Sequence, residues 1–265
     1  MRVLIIGGGI GGLAAACAMR KVGIEHLVLE RAPRPTEIGA GISMWPNAMR
    51  ALDWLGVGGA VRSRGLVASD AAIKNSSGRV LTRAEMRAIC GKLGAEFVMI
   101  HRASLLEALL TGVDEQAIRW GESLKSVEHD SKGVAAKFED GTIEHGDVLV
   151  GADGLRSTVR PFVCGDEAPR YSGQTAYRGL VEFSHQSFAE GTVWEVWGAG
   201  ARFGITCLPR GVKYWWATHS APPLPAGAAA AAPKDKGELQ RIFQGWCDPI
   251  EAMIGATDAD DIVRH

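Results

Sequence analysis

A chain of 265 residues, 46% hydrophobic and 22% charged, has the composition of one large globular domain or two modest ones, which excludes disordered, collagenous and coiled-coil classes. Twenty-nine Lys and Arg against 30 Asp and Glu leave a net charge of -1, so no bulk field holds a polyanion and nucleic acid is not an expected partner. Five cysteines, at 17, 90, 164, 207 and 247, form no CxxC pair, which predicts reduced thiols, no zinc or other metal site and a cytoplasmic location.

Residues 3–19, VLIIGGGIGGLAAACAM, follow a basic Arg2 and end near Ala16-Cys17-Ala18, the outline of a signal peptide. The glycines contradict that outline, because five of the 17 residues separate a β-branched run from an Ala-rich one. No other stretch is long enough to span a bilayer. Val3 to Ile6 instead read as a buried strand, Gly7 to Gly12 as a tight turn, Leu13 to Val22 as a helix ending at Gly23, and Leu27 to Glu30 as a second strand. In such a β-α-β unit the right-handed crossover makes the two strands parallel. Gly7, Gly9 and Gly12 have the GxGxxG spacing. The first permits the turn, the second lets backbone N–H groups approach a pyrophosphate, and the third packs helix on strand. Glu30, 18 residues after Gly12, ends the second strand where a carboxylate accepts ribose hydroxyls. NAD and FAD both present adenosine diphosphate to this motif, which alone does not separate them. Glu30 disfavours a 2′-phosphate, and Arg31 beside it keeps that exclusion incomplete.

Residues 37–47, EIGAGISMWPN, are predicted as a Gly-containing loop that includes Gly41, followed by a helix at Asn47 to Leu55. Segments 67–74 and 79–82 read as a hairpin about Asn75 to Gly78. Arg102 stands just before a helix carrying Leu105, Leu106, Leu109 and Leu110. A cation there opposes the helix dipole, which favours an anionic partner such as pyrophosphate over plain solvation. Residues 124–138 and 142–150 are predicted as a hairpin through Asp140-Gly141, whose second strand runs into Asp153-Gly154, with Arg156, Ser157 and Arg160 at a helix start beyond.

Taken together, GGGIGG with LER at 29–31, GAGISMWPN, IHRASL and VLVGADGLRSTVR resemble the flavoprotein aromatic hydroxylases of the para-hydroxybenzoate hydroxylase class. Within that class the chain is most similar to the urate, salicylate and 3-hydroxybenzoate hydroxylase branch and to the zeaxanthin epoxidases. The resemblance implies an extended FAD, with Glu30 on the adenosine ribose, Arg102 by the flavin, Arg31 and Gly41 among the cofactor-binding residues, and Asp153 with Gly154 by the pyrophosphate and the visiting nicotinamide nucleotide. It also implies NAD(P)H as a transient co-substrate without a Rossmann domain of its own, and O2 as the oxygen donor. The flavin carries the chemistry, so no side chain is assigned a catalytic role.

From Tyr171 onward the pattern becomes aromatic alternating strands, TAYRGLVEF, TVWEVWG, RFGITCL and KYWWATH, which predict an antiparallel sheet. Pro209-Arg210-Gly211 suits a three-residue hairpin loop with Pro opening a type I turn and Gly in the left-handed position. That loop sets Leu208 opposite Val212, Thr206 opposite Tyr214, Gly204 opposite Trp216 and Arg202 opposite Thr218. Arg202, Gly204, Thr206, Tyr214 and Trp216 then share one face, with Arg202 and Tyr214 roughly 13 Å apart along the strands. A guanidinium, a phenol and room above Gly204 suit a planar anionic substrate; the competing reading is a packed aromatic core with Arg202 at its edge. Residues 221–235 are a Pro- and Ala-rich connector, after which Leu239, Ile242, Phe243 and Trp246 recur at helical spacing before Asp248-Pro249. The seven histidines are scattered, with neither a metal-ligand spacing nor a Ser-His-Asp set.

The expected fold class is α/β, a Rossmann-like FAD-binding domain over 1–72 and 98–167 with an antiparallel substrate-binding sheet and following helix over 73–97 and 168–265. The expected function is FAD-dependent hydroxylation of a small aromatic or heteroaromatic compound. Three alternatives stand beside it. A flavin halogenase requires WxWxIP, which Trp194-Glu195-Val196-Trp197 does not supply, and a simple NAD dehydrogenase requires a proton-relay residue absent here. The third is a non-catalytic FAD-binding remnant or partner subunit. Chains of the resembled class carry a second, GDAAH-type flavin motif after the substrate sheet, and this sequence ends at Asp261 to His265, where that motif is expected to begin. The expectation is therefore a truncated chain that holds FAD weakly, turns over poorly alone and exposes apolar surface for self-association.

Overall fold

The computed structural model describes residues 1–35, 40–131, 133–186, 188–223 and 236–264. Residues 37–39 of the predicted loop and 224–235 of the predicted connector lie outside the described residues. The strands are β1 (Arg2–Ile6), β2 (Glu25–Glu30), β3 (Gly41–Met44), β4 (Leu66–Val67), β5 (Asp70–Asn75), β6 (Val80–Ala84), β7 (Val98–His101), β8 (Ile118–Trp120) and β9 (Leu124–Asp130). They continue as β10 (Gly133–Phe138), β11 (Ile143–Gly146), β12 (Val148–Gly151), β13 (Gln174–Glu182), β14 (Thr192–Gly198), β15 (Ala201–Cys207), β16 (Val212–Ser220) and β17 (Val263–Arg264). The helices are α1 (Ile10–Lys21), α2 (Pro46–Leu55), α3 (Gly58–Arg64), α4 (Met86–Leu93), α5 (Arg102–Leu110), α6 (Arg160–Cys164), α7 (Lys236–Ile242) and α8 (Ile250–Ala256). No described helix is long and apolar enough to cross a membrane.

The chain divides into two units: Met1–Glu37, Ala51–Val61 and Ala103–Arg170 in one, Ile38–Arg50, Arg62–Arg102 and Tyr171–His265 in the other. The sequence division placed 38–50, 62–72 and 98–102 with the nucleotide domain, whereas here they group with the sheet unit. The reason is side-chain packing: Ala40, Ala68, Phe97 and Met99 share a buried cluster with Leu208 and Tyr214.

The nucleotide unit is built on a parallel sheet in the order β12-β1-β2-β8. The central strands β1 and β2 carry the continuous apolar runs Val3–Ile6 and Leu27–Leu29 because both of their faces are covered. On one face Leu4, Ile6, Leu27 and Leu29 pack with Ala136, Phe138 and Val159. Helix α1 starts at the extended Gly9 and closes before Gly23 at φ 73°, with Arg20 and Lys21 in its last turn to complement the dipole. The predicted hairpin over 124–150 is four strands rather than two. Gly133, at φ 131°, turns β9 into β10, β10 pairs with β11, and β12 leaves to join β1 in parallel. The break falls at Asp147, whose carboxylate accepts the N–H of Arg2 at 2.6 Å.

In the sheet unit one seven-stranded sheet runs β17-β13-β16-β15-β14-β5-β6, and a smaller one runs β3-β7-β4. The β15–β16 register is the predicted one, with Thr206 opposite Tyr214, Gly204 opposite Trp216 and Arg202 opposite Thr218. The connecting turn differs, because Arg210 at φ 65° and Gly211 at φ 79° are both left-handed. The sheet is mixed rather than antiparallel, since β14 pairs with β5 in parallel. One face buries Phe203, Ile205, Trp215, Leu239, Phe243 and Met253 in a single cluster, so α7 and α8 cover that side. Phe243 lies beyond the end of α7, in the turn leading to α8.

Candidate active site

In the nucleotide unit the three fingerprint glycines are required for different reasons. A Cβ on Gly7, at φ 107°, would stand 2.5 Å from the carbonyl oxygen of Ala152, and one on Gly12 would stand 1.8 Å from the carbonyl oxygen of Gly7. Both hold strand, turn and helix in close approach. Gly9 differs, since nothing lies within 4 Å of its Cβ position, and it caps α1. That open cradle at the start of a 12-residue helix, where N–H groups lack intrahelical partners, is the geometry a pyrophosphate needs. Glu30 ends β2, and its carboxylate accepts the N–H of Gly8 at 2.5 Å and of Ala32 at 2.9 Å. A carboxylate has about four acceptor positions, so capacity remains for ribose hydroxyls. Arg31 is exposed. These residues fit the adenosine diphosphate end of FAD.

Asp153 is committed to its own loop. One oxygen accepts the Ser157 hydroxyl at 2.6 Å, and the other accepts the N–H groups of Thr158 at 2.7 Å and Val159 at 3.2 Å. It fixes the turn carrying the exposed Gly154, at φ 81°, whose Cβ position is open.

In the sheet unit a cavity of about 660 Å³ lies on the sheet face opposite α7 and α8. Its polar groups are Ser43, Thr82, Arg102, Arg178, Glu195, Tyr214 and Thr218, and its walls are otherwise apolar, among them Ile42, Trp45, Ile73, Met86, Phe97 and Trp216. Arg102 opens α5, and its N–H donates to the carbonyl of Ala40 at 2.9 Å. Gly41 is also in the lining, and a Cβ there would stand 2.4 Å from the Tyr214 ring. Burial holds the Tyr214 hydroxyl above the ordinary tyrosine range against the opposing effect of the Arg178 guanidinium. Tyr214 is thus a neutral phenol at physiological pH, able to donate or accept a hydrogen bond. The guanidiniums of Arg102 and Arg178 make no hydrogen bond or ion pair among the described residues, and the Thr218 hydroxyl is buried without a partner.

Two sequence expectations change here. The room above Gly204 is filled by Trp216, because a Cβ on Gly204 would stand 1.9 Å from Cε2 of the indole. Arg202 is on the predicted face but outside the cavity lining, half-exposed and 3.4 Å from Glu195. The cations lining the cavity are Arg102 and Arg178; Arg178, on β13 opposite Trp216, had not been singled out by sequence reasoning. Gly41, Arg102 and Tyr214 come together in one cavity, whereas Gly7, Gly9, Gly12, Glu30, Asp153 and Gly154 belong to the other unit.

Residues 1–215 match the model of the FAD binding domain family. The chain is 38% identical over 264 residues to the aurachin C monooxygenase/isomerase of Stigmatella aurantiaca, covering 100% of this chain and 68% of that protein. It is 32% identical over 261 residues to the FAD-dependent urate hydroxylase of Klebsiella pneumoniae, covering 97% of this chain and 67% of the relative. The crystal structure of Klebsiella pneumoniae HpxO complexed with FAD and uric acid matches at a TM-score of 0.89 and 30% identity, over 100% of this chain and 67% of that one. The chain therefore spans about two thirds of the length of these relatives.

Proposed function

The chain belongs to the FAD binding domain family, and from that premise we propose that it serves the hydroxylation of an anionic aromatic or heteroaromatic compound by O2 and NAD(P)H in the cytoplasm. The observation that carries the substrate class is the Arg178 guanidinium, which lines a mostly apolar cavity and makes no hydrogen bond or ion pair among the described residues. A partly buried guanidinium among apolar walls, with no ion pair of its own, pairs most favourably with an anionic ligand group. Arg178 binds the anionic group of the substrate, Trp216 supports its ring, and Tyr214 and Thr218 supply hydroxyls that fix its orientation. Gly41 and Arg102 serve the flavin. Arg202 neutralises Glu195, which would otherwise repel an anion. In the nucleotide unit, Gly7, Gly9 and Gly12 with the start of α1 receive the pyrophosphate of FAD, and Glu30 receives the adenosine ribose. Gly154, on the loop that Asp153 fixes, gives the diphosphate and the visiting nicotinamide nucleotide close access to backbone. FAD, once reduced by NAD(P)H, supplies the activation of O2. The apolar walls exclude water and orient the ring for the transfer.

Glu30→Ala is expected to weaken FAD binding by about 1 to 3 kcal/mol, the range for losing a charged hydrogen-bond partner. FMN lacks the adenosine, so its affinity is expected not to change. Calorimetry with both flavins checks this, and equal losses for FMN and FAD would contradict it. The substrate reading is tested by screening aromatic acids and purines against neutral aromatic isosteres for stimulation of NAD(P)H oxidation, with product masses. Stimulation confined to neutral compounds would overturn it.

A further inference from the structure

The cavity floor is longer than a single aromatic ring and changes character along its length. Strand register places Arg178, Trp216, Gly204, Glu195, Ile73 and Thr82 in one row across the sheet, from β13 to β6. Five inter-strand steps at about 4.8 Å make this row roughly 24 Å long. All of these residues except Gly204, which Trp216 covers, line the one cavity. The β13 end holds Arg178, with Tyr214 and Thr218 on neighbouring β16. Beyond Glu195, whose charge Arg202 meets, Thr82 is the one polar side chain among the described lining residues of β5, β6 and α4; Ile73, Ala71 and Ala84 form the floor, and Met86, Ile89 and Phe97 stand beside it. Ile89 is 40% exposed, and Leu93, one turn further along the same face of α4, is 51% exposed. The apolar lining therefore continues outward onto the surface.

From this gradient we infer that the substrate is an amphiphile, an anionic aromatic head at Arg178 carrying an apolar chain that lies along β5, β6 and α4. The inference rests on the functional reading above and deepens it. The cavity of about 660 Å³ includes the Gly41 and Arg102 side assigned to the flavin, so the length of the row rather than the volume sets the reach of the ligand. A small ring acid would leave the Ile73–Met86–Ile89 end wetted at apolar walls, while a chain buries it.

The test is a binding series on the FAD-loaded protein, read by calorimetry below the micelle threshold. Its probes are 2-hydroxybenzoate and its 6-propyl and 6-heptyl derivatives, with 3-propylphenol and 3-heptylphenol as uncharged partners. Each buried methylene is expected to raise affinity about three- to fourfold, so heptyl gains on the order of a hundredfold over propyl. In Ile89→Asp, and independently in Ala84→Leu, which fills the arm, the gain per methylene is expected to collapse toward one. Affinity independent of chain length, or a chain-length gain untouched by both variants, overturns the inference. The two readings fail separately. Flat affinity with head binding that still depends on Arg178 sinks the chain alone. A chain-length gain in the phenols with no preference for the carboxylates sinks the anionic head and leaves the apolar arm. Absence of binding by every probe overturns both.

Discussion

Arg178→Met is expected to raise the dissociation constant of an anionic aromatic ligand by about 30-fold or more while leaving the flavin-to-protein ratio at its wild-type value. The estimate follows from the cost of truncating one member of a desolvated, hydrogen-bonded charge pair, about 2 to 5 kcal/mol. Met keeps most of the apolar stem, so packing against Trp216 is retained and the charge is what is lost. Lys is not a neutral replacement, because an ammonium cannot present the planar fork that a carboxylate or an enolate-like edge accepts. Arg202→Ala should cost less. Its guanidinium is half-exposed at 3.4 Å from Glu195, and its removal acts by baring that carboxylate toward the ligand. Ligand titrations of the two variants, with flavin absorbance recorded in parallel, check both statements. An unchanged constant in Arg178→Met would remove that residue from the site.

Gly204→Ala is expected to destabilise the sheet unit by about 1 to 3 kcal/mol and to abolish saturable binding of the aromatic ligand in the same step. Its Cβ would overlap the Trp216 indole, which has no space on the sheet to retreat sideways because Arg178 and Tyr214 flank it. Expelling the indole from the floor raises it into the cavity. Thermal unfolding together with ligand titration reads both effects. Trp216→Leu combined with Gly204→Ala should recover much of the stability without recovering binding, which separates overpacking from loss of the aromatic platform.

The nucleotide fingerprint was legible because its signals are local. Strand, glycine turn, helix and terminal carboxylate all lie within the first 30 residues, and each meets a steric or hydrogen-bonding need visible from spacing alone. The β15–β16 register was equally legible, since three connecting residues fix which side chains oppose each other. What those residues do across the sheet was not. Gly204 read as empty space for a ligand, yet a glycine directly opposite a tryptophan in an antiparallel pair is filled by that ring. The same packing recurs on the opposite face, where a Cβ on Gly179 would stand 2.5 Å from Trp215. Arg178 escaped notice because alternation along β13 marks its face only after β13 is known to pair with β16, a contact no turn encodes. The parallel β14–β5 pairing is hidden for the same reason, with more than 100 residues between the strands. What spacing did not show for Asp153 is its set of short-range hydrogen bonds to Ser157, Thr158 and Val159, which fix the turn carrying Gly154.

The most direct measurement is the origin of the oxygen atom in the product. The FAD-loaded protein is supplied with NAD(P)H and the aromatic acid that most stimulates its oxidation, under 18O2 in unlabelled water. The product should gain one hydroxyl carrying a single 18O, and Arg178→Met should lower its yield in proportion to its loss of affinity. A product without label, or NAD(P)H consumed with no hydroxylated product from any acid that binds, would contradict the account.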